Sequence, residues 1–581
     1  MNTLKRAYNV FKKKNYCKDF GWFLIAAVIF LEVFLFAKRI IFPDHAFDTI
    51  NYHFFLGKNG FENFPLPFKT SEFYPVGMHS FNPIVDMIGY SGYLVLGYRL
   101  GTIFSLISLV VVAVLGYLLL KKAVGEKIAI IGLAIVPPVF IINEGLFQLG
   151  TYFTDNFYSL ILVLYVFVLF KFISAQAEKT KTILLLILGL VAGLIATKLT
   201  NLIYVIPLFL LTVYLIAEKK QDIPKRDFKK ILMRVALYCF AMIGVNFFLF
   251  INIQQSGNPF FPYYNNIFQS IYYSQLNWHF NFGPVTMMQK IFYPFYAIKD
   301  PRILGEVKDM LPDVKLIVEF LFVLFFSFIL FFKKQVFNKY EKSLLFIFIA
   351  SFLFWQSQFG YSRYGIFLEI LGGVLSIIFI VRIFSKGNKW YFLRFITIFY
   401  IIFLIFQTVK IVNFNYNYDI SWRPTVSFGE WQKMFFSYSI FDKYTEINED
   451  LKNALKDTDI VIQCANPSSA YFSTIKELSS LPMVNFDKGN NGIITTNEKY
   501  TNKRDENVFN FVSAKRKNLE YLNFAIVLNK YNGLPGKDKE ICLKALEGYD
   551  RVIIENEFKI NNFVGNKKEK LTLFTGKYKI K

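Results

Sequence analysis

Apolar runs of about 18 residues or more, the length needed to cross a bilayer core, recur along this chain between short polar connections. They predict spans at 19–41, 96–120, 127–143, 155–172, 182–197, 201–217, 231–253, 314–332, 343–358, 363–381 and 391–411. No small-residue cleavage site follows the first run, so Trp22 to Phe36 is expected as a retained span and not as a signal peptide. After residue 412 the pattern changes. Short β-type runs, DIVIQC (459–464), FAIVL (524–528), RVIIE (551–555) and KLTLFTG (570–576), alternate with helix-like polar segments such as KDKEICLKALEGYD. The expected fold class is a polytopic α-helical membrane protein of about 11 spans, followed by a small C-terminal α/β domain. The boundaries are 1–411 for the membrane domain, with long external loops at 42–95 and 254–313, and 412–581 for the soluble domain, a lid or acceptor platform.

Composition supports the membrane assignment: of 581 residues 54% are hydrophobic and 18% charged, and 70 phenylalanines are too many for one soluble core. The net charge of +23 invites a nucleic-acid reading, but its placement argues against one. The basic residues fall in alternate connections, KKKNYCK, LKKAVGEK, AEKTK, EKKQDIPKRDFKK, FKKQVFNKYEK and RIFSKGNKW. That asymmetry predicts a cytoplasmic N-terminus and, with an odd number of spans, an extracytoplasmic C-terminal domain. An anionic inner leaflet adds to the attraction. Lys38 and Arg39 break the pattern and are expected to snorkel from the end of the first span. Cys17, Cys239, Cys464 and Cys542 have no metal-ligand spacing, and whether Cys464 and Cys542 pair stays open. CxxC, HExxH, P-loop and GxGxxG motifs are absent, so nucleotide-driven transport lacks its machinery here.

Candidate chemistry begins where the first apolar run ends. FPDHAFDTINYHFF (42–55) packs Asp44, His45, Asp48, Tyr52 and His53 into ten residues. On an interfacial helix Asp44, Asp48 and Tyr52 would share one face, and two carboxylates four residues apart disfavour double ionisation. Helix capping accounts for Asp44. It leaves Asp48, Tyr52 and His53 unexplained. Further charges map to the same membrane surface: Asp155 in TYFTDN, Lys198 in GLVAGLIATKLTN, whose glycines suggest close helix packing, and Arg363 in SRYG. For Lys198 and Arg363, snorkelling to lipid phosphates is the plain alternative. Glu32 and Glu369 lie inside spans, as functional acids or as packed polar groups. His279 reads equally as an interfacial side chain. Asn258 and Pro259 suit a turn in the aromatic-rich second loop.

FDTINYH, TDN, GLVAGLIATKLTN, SRYG and the loop SGNPFFPYYNNIF together resemble the GT-C class of integral-membrane glycosyltransferases over roughly residues 20–380. The style is that of protein-mannosyltransferase and aminoarabinose-transferase-like enzymes. Carried over, the resemblance implies Asp48 as catalytic carboxylate and Asp155 as the second acid, positioning the acceptor or a metal. Lys198 and Arg363 would hold the phosphate of a polyprenyl-phosphate-linked sugar donor. Beside these, Asp44, Tyr52, His53, Asn258 and Tyr364 are candidates for substrate binding, with His53 next to Tyr52 and placed to orient Asp48 or a substrate. Relatives with an adjacent Asp–Glu pair differ from this chain, where Asp44 and Asp48 are separated, and that leaves Asp44 without an assigned role. A divalent metal stays open, with Asp48 and Asp155 its candidate ligands.

The implied reaction moves a sugar from the lipid phosphate to an acceptor hydroxyl on a glycan, lipid or protein at the external face, with inversion. Direct rivals are a transporter or flippase of lipid-linked sugar, a polysaccharide polymerase or ligase, and an assembly scaffold. A transporter would be expected to show internal repeats, and none is evident.

Overall fold

The computed structural model describes residues 16–42, 44, 46, 48–49, 53–62, 82–135, 140–175, 177–219, 233, 248–260, 264–269, 283–284, 286–305, 314–334, 336–385, 390–418, 429, 431–432, 456–463, 483–485, 521–528, 552–561 and 570–579. Among them seven helices are long and apolar enough to cross a membrane, at Phe20–Arg39, Ile103–Val124, Asp155–Ser174, Leu199–Glu218, Lys315–Phe332, Ser362–Phe384 and Tyr391–Asn417. The chain is a predominantly helical integral membrane protein.

The membrane part runs α1 (Tyr16–Arg39), α2 (Phe54–Glu62), α3 (Ile84–Leu100), α4 (Ile103–Val124), α5 (Glu126–Ile135), α6 (Asn143–Phe147), α7 (Asp155–Ser174) and α8 (Ala177–Thr197). It continues through α9 (Leu202–Lys219), α10 (Phe248–Ser256), α11 (Met287–Ile291), α12 (Tyr293–Lys299), α13 (Lys315–Phe332), α14 (Lys339–Gln358), α15 (Ile366–Ser385) and α16 (Tyr391–Asn417). α15 is the central post: 89% of its apolar window is buried, against 33% for α1 and for α16. Phe328, Phe331, Phe395, Phe399 and Phe406 point outward, where the surrounding medium is lipid.

Polar contacts at the helix ends sort the bundle into two faces. On one, Asn338 donates to the Ala123 carbonyl at 2.9 Å, Lys122 to Ser174 at 2.9 Å, Lys121 pairs with Glu126 at 2.6 Å and Lys339 with Glu218 at 2.8 Å. This face carries the basic connections at 120–127 and 332–342. On the other, the ends of α1 and α16 meet the starts of α7, α13 and α15, and there Asp44, Asp48, Asp155, Lys198 and Arg363 lie. Arg39 does not snorkel. It is buried and donates to the carbonyls of Leu146, Asn415 and Tyr418, the last two at 2.9 Å, which satisfies the carbonyl end of α16. Lys38 sits over the Tyr416 ring. The C-terminal ends of the first and last spans therefore share a face.

Several expected spans differ in the structure. The second starts later than 96, because α3 is broken near its end at Gly97 (φ 81°) and α4 opens only at Ile103. Only glycine adopts that backbone freely. Of the third, the described residues show the ten-residue helix α5, and 136–139 lie outside them. Most of 231–253 lies outside the described residues. The first loop is not plain loop, since it contains α2 and α3. Gly193, expected at a close helix contact, faces open space, whereas Gly116 and Gly132 press against Phe140 and Ile377.

The C-terminal strands are β1 (Ile460–Gln463), β2 (Met483–Asn485), β3 (Tyr521–Leu528), β4 (Val552–Asn561) and β5 (Lys570–Lys579). They form one sheet ordered β2-β1-β3-β5-β4, with β1 parallel to both neighbours and β5 antiparallel to β3 and β4. All four expected runs are strands; the three-residue β2 was not anticipated. The expected helices, and Cys464 and Cys542, lie outside the described residues.

Inside the bundle Lys315 is fully buried, 4.0 Å from Glu319 and 3.6 Å from Glu369, and donates to the Ile141 carbonyl at 2.8 Å. Glu369 thus has an ion-pair partner that the sequence reading did not supply. Lys315→Met is expected to lower stability by about 3–5 kcal/mol, because two buried carboxylates lose their cation. Thermal unfolding in detergent reads this, and adding Glu319→Gln and Glu369→Gln should recover most of it. A Lys315→Met protein as stable as the parent would show that the trio carries no ion pair.

Candidate active site

Asp44 and Asp48 have different surroundings. Asp44 is buried in non-helical backbone, and its carboxylate accepts from Ala46 N–H at 2.9 Å, Thr49 Oγ1 at 2.7 Å and Tyr152 N–H at 2.8 Å. Its carbonyl accepts from Tyr98 at 2.7 Å. The residue ties the first loop to the segment before α7. The chain turns helical only at Asp48, so the two acids do not share a helix face. Asp48 reaches Arg363 instead, with Oδ2 2.8 Å from Nη1.

Arg363 also approaches Asp155 Oδ2 through Nε, at 3.3 Å, so one guanidinium spans two aspartates. Asp155 opens α7, where the helix N-terminus favours a negative charge. Its Oδ1 takes a second cation, Lys198 Nζ, at 2.7 Å. Lys198 follows the end of α8 and lies 5.0 Å from the centre of the Tyr158 ring and 4.7 Å from that of Tyr364. Arg363 lies 5.0 Å from the Phe153 ring centre. Desolvation makes such cation–ring contacts stronger than they are in water.

The turn that carries Arg363 is pinned on several sides. Trp355 Nε1 donates to the Tyr361 carbonyl at 2.9 Å, Tyr293 to the Gly360 carbonyl, Tyr204 to that of Tyr364, and Ser362 to Glu144. Gly283 (φ 81°) abuts Phe359 so tightly that a side chain there would collide with its carbonyl.

Next to the charges, His53 Nδ1 lies 2.6 Å from Asp86 Oδ1, with both side chains buried. Burial pushes the Asp86 carboxyl well above the usual carboxylate range, with Lys198 pulling it down and Asp155 pushing it up. Burial holds His53 well below the ordinary imidazole value, and Lys198 and Arg363 press it further down. The His53 ring leans on Phe153 at 5.5 Å, which links it to Arg363.

The structure thus gathers Asp48, Asp155, Lys198, Arg363 and Tyr364, with His53 beside them. Asn258 is buried in the turn at 257–260, accepting from Phe260 N–H at 2.9 Å. Tyr52 and His279 lie outside the described residues. Asp86, Glu144, Phe153 and Tyr158 were not singled out from the sequence. For Asp86 a signal existed, an acid in the first turn of a helix within the same loop (NPIVD). Within the cluster Lys198 and Asp48 are the most open, their side chains 16% and 14% exposed, against 7% and 5% for Arg363 and Asp155. A ligand arriving from solvent meets these two first.

Asp48 and Asp155 do not fit a divalent-ion site as they stand, because both carboxylates are engaged by the Arg363 guanidinium. Among the described residues no group of three His, Cys, Asp or Glu side chains is placed to hold a metal.

Because Arg363 serves both aspartates, its loss should cost more than a surface charge. Arg363→Met is expected to destabilise the detergent-solubilised protein by about 3–5 kcal/mol. Asp48→Asn in the same chain should restore part of this, a non-additivity that thermal unfolding of the single and double variants measures. Additive losses would dissolve the pair.

No protein-family model and no curated protein matches the chain. Its fold does have solved counterparts. ArnT from Cupriavidus metallidurans in the apo state aligns with a TM-score of 0.51 at 9% identity, over 96% of this chain and 98% of that one. The same protein bound to undecaprenyl phosphate gives 0.50 at 10%, with the same coverage. An Archaeoglobus fulgidus oligosaccharyltransferase in complex with Zn and sulfate gives 0.46 at 14%, over 94% of this chain and 72% of that one. The fold of this chain is therefore similar to that of ArnT over nearly the whole of both chains.

Proposed function

We propose that the protein is a membrane glycosyltransferase of GT-C type that moves a sugar from a polyprenyl-phosphate-linked donor to an acceptor hydroxyl on the extracytoplasmic face. The observation that carries the reading is the Asp48–Arg363–Asp155–Lys198 network at one membrane boundary. It sits in a fold whose counterpart ArnT has a structure with undecaprenyl phosphate bound. The basic connections on the opposite face support the sidedness.

In this reading the donor phosphate settles on Lys198 and Arg363, a point charge and a planar fork that suit phosphate oxygens in different ways. As it does so it competes with Asp48 for Arg363 Nη1, and the carboxylate is released from its cation only when donor is present. Asp48 then takes the proton of the acceptor hydroxyl. The acceptor oxygen forms its bond to the sugar C1, the bond from C1 to the phosphate oxygen breaks, and the electron pair leaves on the lipid phosphate. Attack from the side opposite the leaving group inverts the anomeric centre. A general base contributes about 10²–10⁴-fold in rate. Each well-placed cation on the leaving phosphate contributes about 3 kcal/mol. Asp155 orients both cations from the helix N-terminus of α7.

Purified protein given a panel of radiolabelled polyprenyl-phosphate sugars is expected to transfer one of them. Asp48→Asn should cut turnover by about 10²–10⁴-fold with lipid-phosphate binding retained, and Lys198→Met should weaken that binding. Because the Arg363 guanidinium already bridges the two aspartates, chelator is expected to leave transfer unchanged. Donor binding without transfer under every condition would instead favour a flippase.

A further inference from the structure

Three acids and two cations converge on the candidate site. Asp48 and Asp155 neutralise Arg363 and Lys198 through the contacts described above. Asp86 is the third acid, and it sits against His53 at 2.6 Å. Both side chains are almost sealed, 4% and 5% exposed. A contact this short between a carboxylate oxygen and a ring nitrogen holds a proton on the line joining them.

The pair therefore has two accessible forms. With one proton it is anionic, the imidazole N–H facing an ionised Asp86. With two protons it is neutral, the second residing on His53 Nε2. Burial favours the neutral form, since a net charge in a sealed site is costly. The neighbouring cations favour the anionic form: Lys198 beyond the end of α8 and Arg363 in the turn before α15. Asp155 and Tyr158 on α7 face the pair as well, the former opposing the anion. An anion that occupies Lys198 and Arg363 removes their support and adds its own repulsion.

We infer that a phosphate bound at Lys198 and Arg363 draws one proton from solvent onto the His53–Asp86 pair, so that binding of the lipid phosphate is coupled to proton uptake. The inference rests on the glycosyltransferase reading for the class of ligand. No bond of the lipid is made or broken in this step; one solvent proton is gained by the pair. The two cations act against protonation of the pair, Lys198 on Asp86 and both Lys198 and Arg363 on His53, and an anion bound to them lifts that opposition. The pair binds its proton more tightly in the complex than in the free protein. Affinity is therefore full at low pH, falls as pH rises through the titration of the liganded pair, and changes by at most about tenfold per pH unit.

The probe is the methyl phosphodiester of undecaprenyl phosphate, whose single charge does not titrate between about pH 5 and 9. Titration calorimetry of the full chain in detergent, in two buffers of different ionisation enthalpy, counts protons directly. Wild type should take up as much as one proton per lipid, with affinity falling as pH rises. His53→Gln and Asp86→Asn should bind with no such uptake and a flat pH profile. Binding by wild type with no proton exchange across the range, or uptake that persists in Asp86→Asn, overturns the coupling and leaves the glycosyltransferase reading standing. Failure of the probe to bind at any pH overturns both. Should neither variant fold, the proton count in Asp48→Asn decides, because that variant removes the other carboxylate that the phosphate would part from Arg363.

Discussion

One guanidinium shared between two aspartates is the contact on which the site depends. Lys could not replace Arg363 here, because an ammonium on a flexible stem has no rigid fork with which to reach Asp48 and Asp155 at once. The fork is useful only if its backbone is held still. That accounts for the crowding of the turn at 359–365, where Trp355, Tyr293 and Tyr204 each donate to a carbonyl of a neighbouring residue. It also accounts for Gly283 and Gly360, both at positive φ, where two backbones cross with no room for a side chain. The short second-loop helix α12 thus reaches the turn of Arg363 through Tyr293.

The two faces of the bundle handle charge differently. Lys121 and Glu126 pair while 36% and 35% exposed, so their contact is worth about 0–1 kcal/mol. On the site face the pairs are buried, and losing either partner strands a charge in a low-dielectric setting. The exposed pairs of the basic face, Lys121–Glu126 and Lys339–Glu218, therefore tolerate change that the site face does not. Arg39 and Lys315 extend the same logic away from the chemistry. Each is a buried cation satisfied largely by backbone carbonyls or carboxylates, and each joins helices far apart in sequence.

Much of the bundle was readable because apolar length is a strong signal. The failures lie where length and periodicity stop carrying information. Nothing in a hydropathy pattern gives the break at Gly97, which needs the φ angle. The four charges of the cluster were readable individually, from the rule that ions at membrane boundaries are rare. Their pairing was not, because Asp155 and Lys198 lie 43 positions apart and Arg363 joins acids from two other, distant segments. Asp86 was passed over because a single acid at a helix start is commonplace; only the approach of His53 from the other arm of the loop sets it apart. Arg39 was misread for a similar reason, as the carbonyls that hold it belong to α6 and to the far end of the chain.

Asp44 and Asp48 show why spacing alone could not divide roles between them. Asp44 accepts from two backbone amides and a hydroxyl, groups that cannot move without unfolding the loop they belong to. Asp48 is held by a mobile group, the side chain of Arg363, and keeps 14% of its own surface open. A guanidinium carries five N–H donors on a side chain that can exchange partners, while a backbone amide in a turn has one. An anion entering the site can therefore exchange with Asp48 on Arg363 and leaves the surroundings of Asp44 untouched. Of two acids four residues apart, chemistry that requires a carboxylate to change partners falls to the second, and the first is left to fix the loop on which that change takes place.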